Sequence, residues 1–213
     1  MKIPGSVLVL ATGNRGKLAE MQALLAPLGL QVKTQAEFGV EPPEETGASF
    51  IENAILKARH ASRVTGLPAL ADDSGLEVDA LDGAPGIHSA RYANANDGSG
   101  AGDDANNAKL LNALTGLPAE KRGARFRCAI ALLRHAGDPM PVIASGTWEG
   151  RILDTPRGSN GFGYDPLFLP AGSDRTSAEL DEAEKNGISH RGQALRQLLE
   201  LLRDSEAGNV RQR

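Results

Sequence analysis

Leu70-Ala71-Asp72-Asp73-Ser74-Gly75-Leu76 decides how the rest of this 213-residue chain is read. Pro68 to Ala71 is apolar-leaning and runs into two adjacent carboxylates and then a Ser-Gly pair, a pattern that predicts a short buried strand ending in a loop. In open α/β sheets ligands bind outside the carboxyl ends of strands, where paired acids can seat a divalent metal or act as a general base. The competing reading is that such an Asp only caps the next turn through neighbouring backbone amides.

On the N-terminal side, Val7 to Leu10 reads as a strand. Ala11-Thr12-Gly13-Asn14-Arg15-Gly16-Lys17 follows, and then a helix with Leu18, Met21, Leu24, Leu25 and Leu28 on one face, ending near Pro27-Leu28-Gly29. This has the outline of a phosphate cradle: a helix N-terminus with free amides, glycines that let the backbone approach, and Lys17 as a point charge. It lacks the spacing of the common P-loop. Gln31 to Thr34 predicts a second strand, followed by the acidic connector Glu41-Pro42-Pro43-Glu44-Glu45-Thr46-Gly47. Ser49 and Glu52 form a capping-box pattern for a helix to about Val64, packing through Phe50, Ala54, Ile55, Ala58 and Ala61. On it Asn53 and Lys57 are i, i+4 neighbours that can face one site or solvent.

On the C-terminal side, Gly83 to Tyr92 predicts a shaped loop, Asn94 to Asp104 a mobile polar segment, and Asp104 to Leu114 a helix. Ala124–Leu133 and Val142–Ile152 alternate as two strands around the turn His135–Pro139, a hairpin expected to form a second lobe, with Trp148 packed inside it. Gly161-Phe162-Gly163-Tyr164-Asp165-Pro166 interleaves aromatics with glycine and an acid, which suits either a nucleobase or a structural turn. Thr176 to Glu179 is a second capping-box pattern opening a short helix to Lys185. Ser189 is expected to cap a last helix, Ala194 to Leu202, whose first turn carries His190 and Arg191. Cations there oppose the helix dipole unless an anion or polar ligand compensates.

Whole-chain properties narrow the classes. The length suits one large domain or two lobes sharing a cleft. The single Cys128 rules out an internal disulfide framework and, in an alternating run, reads as a buried strand position in a reducing compartment. A net charge of -4 argues against duplex nucleic acid as the main partner but is compatible with a small polyphosphate. Glycine, 25 of 213 residues against a usual share of about 7 %, clusters in loops and implies close backbone approach to a ligand. No apolar leader and no run near the ~20 residues of a membrane span is visible, so a soluble cytoplasmic protein without membrane partners is expected.

Taken in order, five motifs make the chain from Val7 to Leu202 resemble the inosine triphosphate pyrophosphatase family, among its bacterial members acting on non-standard purine nucleotides. They are Thr12-Gly13-Asn14 with Lys17, Glu44-Glu45-Thr46-Gly47 leading to Phe50-Ile51-Glu52-Asn53-Ala54, Ala71 to Leu76, Gly161 to Pro166, and Ser189-His190-Arg191-Gly192. The resemblance implies a homodimeric α/β enzyme: a mixed twisted sheet with flanking helices, two lobes around a central substrate cleft, one domain over residues 1–204 and a polar tail over 205–213. It implies Mg²⁺-dependent hydrolysis of ITP, dITP and XTP to the monophosphate and pyrophosphate. Carried over by position, Thr12, Gly13, Asn14, Arg15, Gly16 and Lys17, with Lys57, would hold the triphosphate, and Ser74 would touch substrate. Asp73 would be the general base, and Glu44, Glu45, Asp72 and Asp73 would supply the metal ligands. Phe162, Gly163, Tyr164, Asp165, Lys185, His190 and Arg191 would enclose the purine. A nucleotide-binding module without catalysis and a pyrophosphatase for modified pyrimidine nucleotides are the competing classes.

Overall fold

Strand alternation builds the sheet. In the computed structural model, which describes residues 7–25, 31–94 and 102–210, Val7–Leu10 forms β1, Arg15–Leu25 forms α1 and Gln31–Thr34 returns as β2. β2 runs parallel to β1, with Leu8 opposite Val32. β3, Ala69–Val78, runs parallel on the other side, with Leu10 opposite Leu70. β4 (Gly123–Leu133) and β5 (Val142–Ile152) follow, and β6 (Phe168–Pro170) pairs antiparallel to β5, giving the order β2-β1-β3-β4-β5-β6. The sheet is mixed, as expected. β6 is too short to have left a periodic signal.

Among the described residues four more α-helices follow: α2 (Phe50–Thr65), α3 (Asp103–Ala113), α4 (Glu182–Ile188) and α5 (His190–Val210). The Ser49 hydroxyl accepts from the Glu52 amide and donates to the Glu52 carboxylate, so α2 starts where its capping pattern predicted. Two expectations need correction. Thr176 and Glu179 do form a capping box, but it closes only a 3-10 turn, Ser177–Glu179; α4 needs its own box, from Asp181 to Glu184, before it reaches Lys185. Ser189 caps the C-terminal end of α4 in an extended conformation, and α5 starts at once with His190 and continues to Val210, through most of the expected tail. The predicted end of α1 near Pro27-Leu28-Gly29 and most of the polar segment after Asn94 lie outside the described residues.

The chain divides into two compact units. The first comprises Met1–Asp73, Cys128–Gly146 and Arg191–Arg213, the second Ser74–Arg127 and Thr147–His190. β4 and β5, expected to form a lobe of their own, contribute residues to both. In the first unit, Leu8, Leu10, Leu70, Ile130 and Leu132 pack with Met21 and Leu25 of α1 and Ala194, Leu195 and Leu198 of α5. Their strand neighbours Val9, Ala11, Ala69, Ala71, Ala131 and Leu133 pack with Ala54, Ala58 and Ala61 of α2. Successive side chains leave opposite faces of a strand, so each face carries its own helices. In the second unit Leu110 of α3 and Leu114 at its C-cap join Leu76, Val78, Phe126, Trp148 and Phe168, and Trp148 is a packing residue as expected.

The turn between β4 and β5 is fixed by Asp138. Its carboxylate accepts from the amides of Arg134 (3.0 Å) and Met140 (3.1 Å) and from the Arg134 guanidinium, which holds it well below the usual carboxylate range. Asp138→Asn should destabilise the protein by about 1–2 kcal/mol at neutral pH, the lower part of the range for charged hydrogen bonds because solvent screens Arg134. A depressed folded pKa contributes stability above the unfolded value of about 4, lost as pH falls toward the folded one. Urea denaturation at pH 7 and pH 3 should therefore show the gap between wild type and variant shrinking in acid.

Candidate active site

Asp72 and Asp73 do not end a strand. β3 continues through them and on to Val78, which corrects the predicted stop at the Ser-Gly pair. What ends is the neighbouring strand: β1 stops at Leu10 opposite Leu70, and the Ala11 amide donates to the Leu70 carbonyl at 2.8 Å, so the acids lie just beyond the carboxyl end of β1. An unbroken strand sends adjacent side chains to opposite faces. Asp72 therefore goes with Leu70 toward α1 and α5, and Asp73 goes with Ala71 toward α2.

On the first face, Asp72 is 1 % exposed. Its Oδ2 lies 3.3 Å from Lys17 Nζ and accepts from Arg191 Nε at 3.3 Å. Burial works to raise its pKa, but Lys17 and then Arg191 and Lys57 outweigh it and hold the carboxyl well below the usual range. The Arg191 guanidinium also binds Glu20, a buried acid on α1. Arg191 at the start of α5 thus meets protein carboxylates: the anion that the dipole argument required is supplied to it by Asp72 and Glu20. Asn14 caps α1, its side-chain oxygen accepting from the Lys17 amide at 3.0 Å, and Thr12 Oγ1 accepts from the Asn14 amide at 3.3 Å. No acid occupies the first turn of α1. None of its own first-turn residues therefore offsets the positive end of its dipole, which favours an anion there. The side chain of Arg15 lies outside the described residues.

On the second face, Asp73 is held at both oxygens. Lys57 Nζ donates to Oδ1 at 2.8 Å and Asn53 Nδ2 to Oδ2 at 3.3 Å, the i, i+4 pair on α2 acting together. Burial raises the pKa of Asp73, with Lys57 and Lys17 opposing. Lys57 also donates to Glu45 at 2.9 Å; burial disfavours its charge, yet Asp73, Asp72 and Glu45 together raise its pKa. Asn53 Oδ1 accepts from the Gly47 amide at 2.8 Å, and a Cβ on Gly47 would come within 2.6 Å of that oxygen, so the Glu-Glu-Thr-Gly connector needs glycine to reach α2. Glu44 lines an open cavity with Glu52, Arg59 and His60. Among the described residues no three His, Cys, Asp or Glu side chains converge as a preformed metal cage.

The second unit holds the other expected group. Asp165 is 3 % exposed and accepts from Lys185 Nζ (2.7 Å), Ser177 Oγ (2.7 Å) and the Phe162 amide (2.9 Å). Lys185 Nζ also sits 5.0 Å from the Phe162 ring centroid, a cation–π contact. Gly161 has φ +77°, and any Cβ there would collide with the Asp165 carboxylate, so the tightness of this turn depends on glycine. Tyr164 is a core residue whose hydroxyl donates to the Ser89 carbonyl at 2.8 Å. His190 stacks on Phe126, with centroids 4.8 Å apart and an interplanar angle of 12°. Ser74 is half-buried within β3. Glu20 and Ser177 carry no local sequence signal; their partners lie 171 and 12 residues away, where no local spacing reveals them.

The Ham1 family model matches residues 8–201. The chain belongs to the Ham1 family. The dITP/XTP pyrophosphatase of Yersinia pseudotuberculosis is 58 % identical over 198 residues, which are 93 % of this chain and 98 % of that protein. The dITP/XTP pyrophosphatase of Xanthomonas oryzae pv. oryzae is 61 % identical over 188 residues, 88 % and 92 % of the two chains. The structure of a HAM1 protein from Coxiella burnetii superposes with a TM-score of 0.84 at 53 % identity, covering 94 % of this chain and all of that one. The family resemblance read from the motifs is borne out.

In this Ham1 family chain Arg191 neutralises two buried acids at once. Arg191→Ala would take the shared guanidinium from both Glu20 and Asp72, and should cost about 3–5 kcal/mol. Arg191→Lys should restore only part of it, since one ammonium cannot reproduce the fork. Urea unfolding of the two variants beside wild type measures both values.

Proposed function

We propose that this chain hydrolyses the α–β phosphoanhydride of ITP, dITP and XTP, releasing the monophosphate and pyrophosphate and so clearing these nucleotides before they enter DNA or RNA. The observation that carries the reading is Asp73: a buried carboxylate with a raised pKa, gripped by Lys57 and Asn53 at the edge of a lysine-bearing helix start. Full-length similarity to proteins named dITP/XTP pyrophosphatases supports it.

In this mechanism Asp73 takes the proton of the attacking water, while the bond between the α phosphorus and the bridging oxygen breaks and pyrophosphate leaves. The raised pKa suits the task, because a base works best with a pKa nearer the operating pH. Lys17 and Lys57 meet the phosphate charge, and the amides at the start of α1 receive phosphate oxygens. Asp72, on the other face of β3, keeps Lys17 and Arg191 in place.

The donor chemistry fits Mg²⁺. Lys17, Lys57 and Arg191 face four carboxylates, Glu20, Glu45, Asp72 and Asp73, so a triphosphate entering this cluster requires further positive charge. Mg²⁺ prefers one or two carboxylates plus substrate phosphates to an all-protein cage, and Asp73 and Glu45, which already share Lys57, are the pair that would hold it. Glu44 and Asp72, also expected as ligands, have other surroundings and are assigned no direct contact. When bound, the ion would neutralise charge developing on the phosphoryl oxygens. Phe162, Lys185 and His190 would meet the purine. A homodimer and a cytoplasmic location complete the reading and follow from the family resemblance.

Pyrophosphate release from ITP, dITP, XTP, GTP and ATP, with and without Mg²⁺, tests the proposal. The first three should be turned over well above the other two, and only with the metal. Asp73→Asn should lower kcat on the order of 10²-fold or more with little change in melting temperature. A variant that keeps most of its turnover would reduce Asp73 to a structural carboxylate.

A further inference from the structure

Helix α3 begins without a side-chain cap: Gly102 occupies the cap position, and Asp103 follows it in the first turn. The Asp103 carboxylate instead accepts from the backbone amide of Gly163 at 2.6 Å, sixty residues away. One turn further on, Asn107 Nδ2 donates to the carbonyl of the same glycine at 2.9 Å. Both backbone groups of one residue are thus held by side chains from one face of one helix. That residue lies between Phe162 and Tyr164 and has φ +63°, a left-handed conformation in which the turn relies on outside contacts to stay fixed. Its neighbours are anchored from other directions, Tyr164 by its hydroxyl on the Ser89 carbonyl and Phe162 by its amide on Asp165. Leu110 and Leu114, buried in the core of the second unit, hold α3 itself.

We infer that Asp103 and Asn107 are positioning residues for purine recognition, fixing through Gly163 the plane of the Phe162 ring on which the base stacks. The inference rests on the proposed function. It adds α3, which no sequence motif connected with substrate, to the elements that set affinity for the base. A stacking platform gains most when its ring is already oriented before the ligand arrives, because ordering it on binding subtracts from affinity. The grip should act on groups that touch the base and leave the phosphate chemistry alone.

The two hydrogen bonds have opposite polarity, and that supplies the test. Asp103→Ala and Asn107→Ala should each raise KM for ITP and weaken inhibition by inosine monophosphate roughly tenfold, the scale of a lost base–aromatic stack. Inhibition by inorganic pyrophosphate and kcat should stay within about twofold. Asp103→Asn keeps an acceptor for the Gly163 amide and should behave like wild type. Asn107→Asp, equally close in shape, sets an acceptor against a carbonyl and should behave like Asn107→Ala. Phe162→Ala is the reference: its KM should rise, and adding Asp103→Ala to it should raise KM no further. If Phe162→Ala leaves KM unchanged, stacking and the functional reading beneath it fail. If Phe162→Ala raises KM while the α3 variants do not, or if Asp103→Asn and Asn107→Asp act alike, the positioning role is overturned. Melting curves accompany each variant, and a fall in kcat parallel to a fall in melting temperature would mark a purely structural role and likewise overturn it.

Discussion

The placement of the paired acids at the candidate site follows from β3 not stopping. Once the strand runs through Asp72 and Asp73, its two-residue period forces the two carboxylates apart, one to each face of the sheet. Each then meets a different set of helices: α1 and α5 through Lys17 and Arg191, α2 through Asn53 and Lys57. A turn at Ser74 would have let both acids curl toward one ion. The strand instead gives them separate electrostatic environments, and the opposite directions of their pKa shifts are the result.

Burying carboxylates in mid-strand is expensive unless each is paired and hydrogen-bonded. The chain meets that requirement with long side chains from distant segments, and the same contacts tie the ends of the sequence together. Arg191, 171 residues from Glu20 and 119 from Asp72, joins the start of α5 to α1 and β3. The apolar layers beside these pairs are built for close approach: Ala54, Ala58 and Ala61 of α2 lie against Ala69 and Ala71 of β3, Ala131 of β4 and Ala11 just after β1. Small residues there let α2 sit near enough for Lys57 and Asn53 to reach Asp73.

Local patterns in the sequence were read well where they decided the structure alone. β1, β2, α2, β4 and β5 lie within a residue or so of their predicted bounds, because periodicity and the Ser49 cap are local signals. The run through Asp72 to Gly75 carries every local mark of a turn, two acids and a Ser-Gly pair, whereas the cations that let the strand continue, Lys57, Lys17 and Arg191, lie far along the chain. The capping pattern at Thr176 is present, but the 3-10 turn it opens ends at Glu179, because Leu180 is extended. For the site, residue types and motif order were legible, while pairing was not. Nothing local distinguishes Glu20 from a solvated helix acid, or Asp103 from an ordinary first-turn carboxylate.

Cys128 lies in β4 among Ile130, Leu132 and the inner residues of α1 and α5. Burial there pushes its thiol up to about 12, so at neutral pH it is neither ionised nor reachable by a reagent. As the only thiol in the chain, it is a natural clock for opening. A thiol-specific label added to the native protein reacts when that core parts, and the labelling rate reads the population of open molecules without any probe being engineered in.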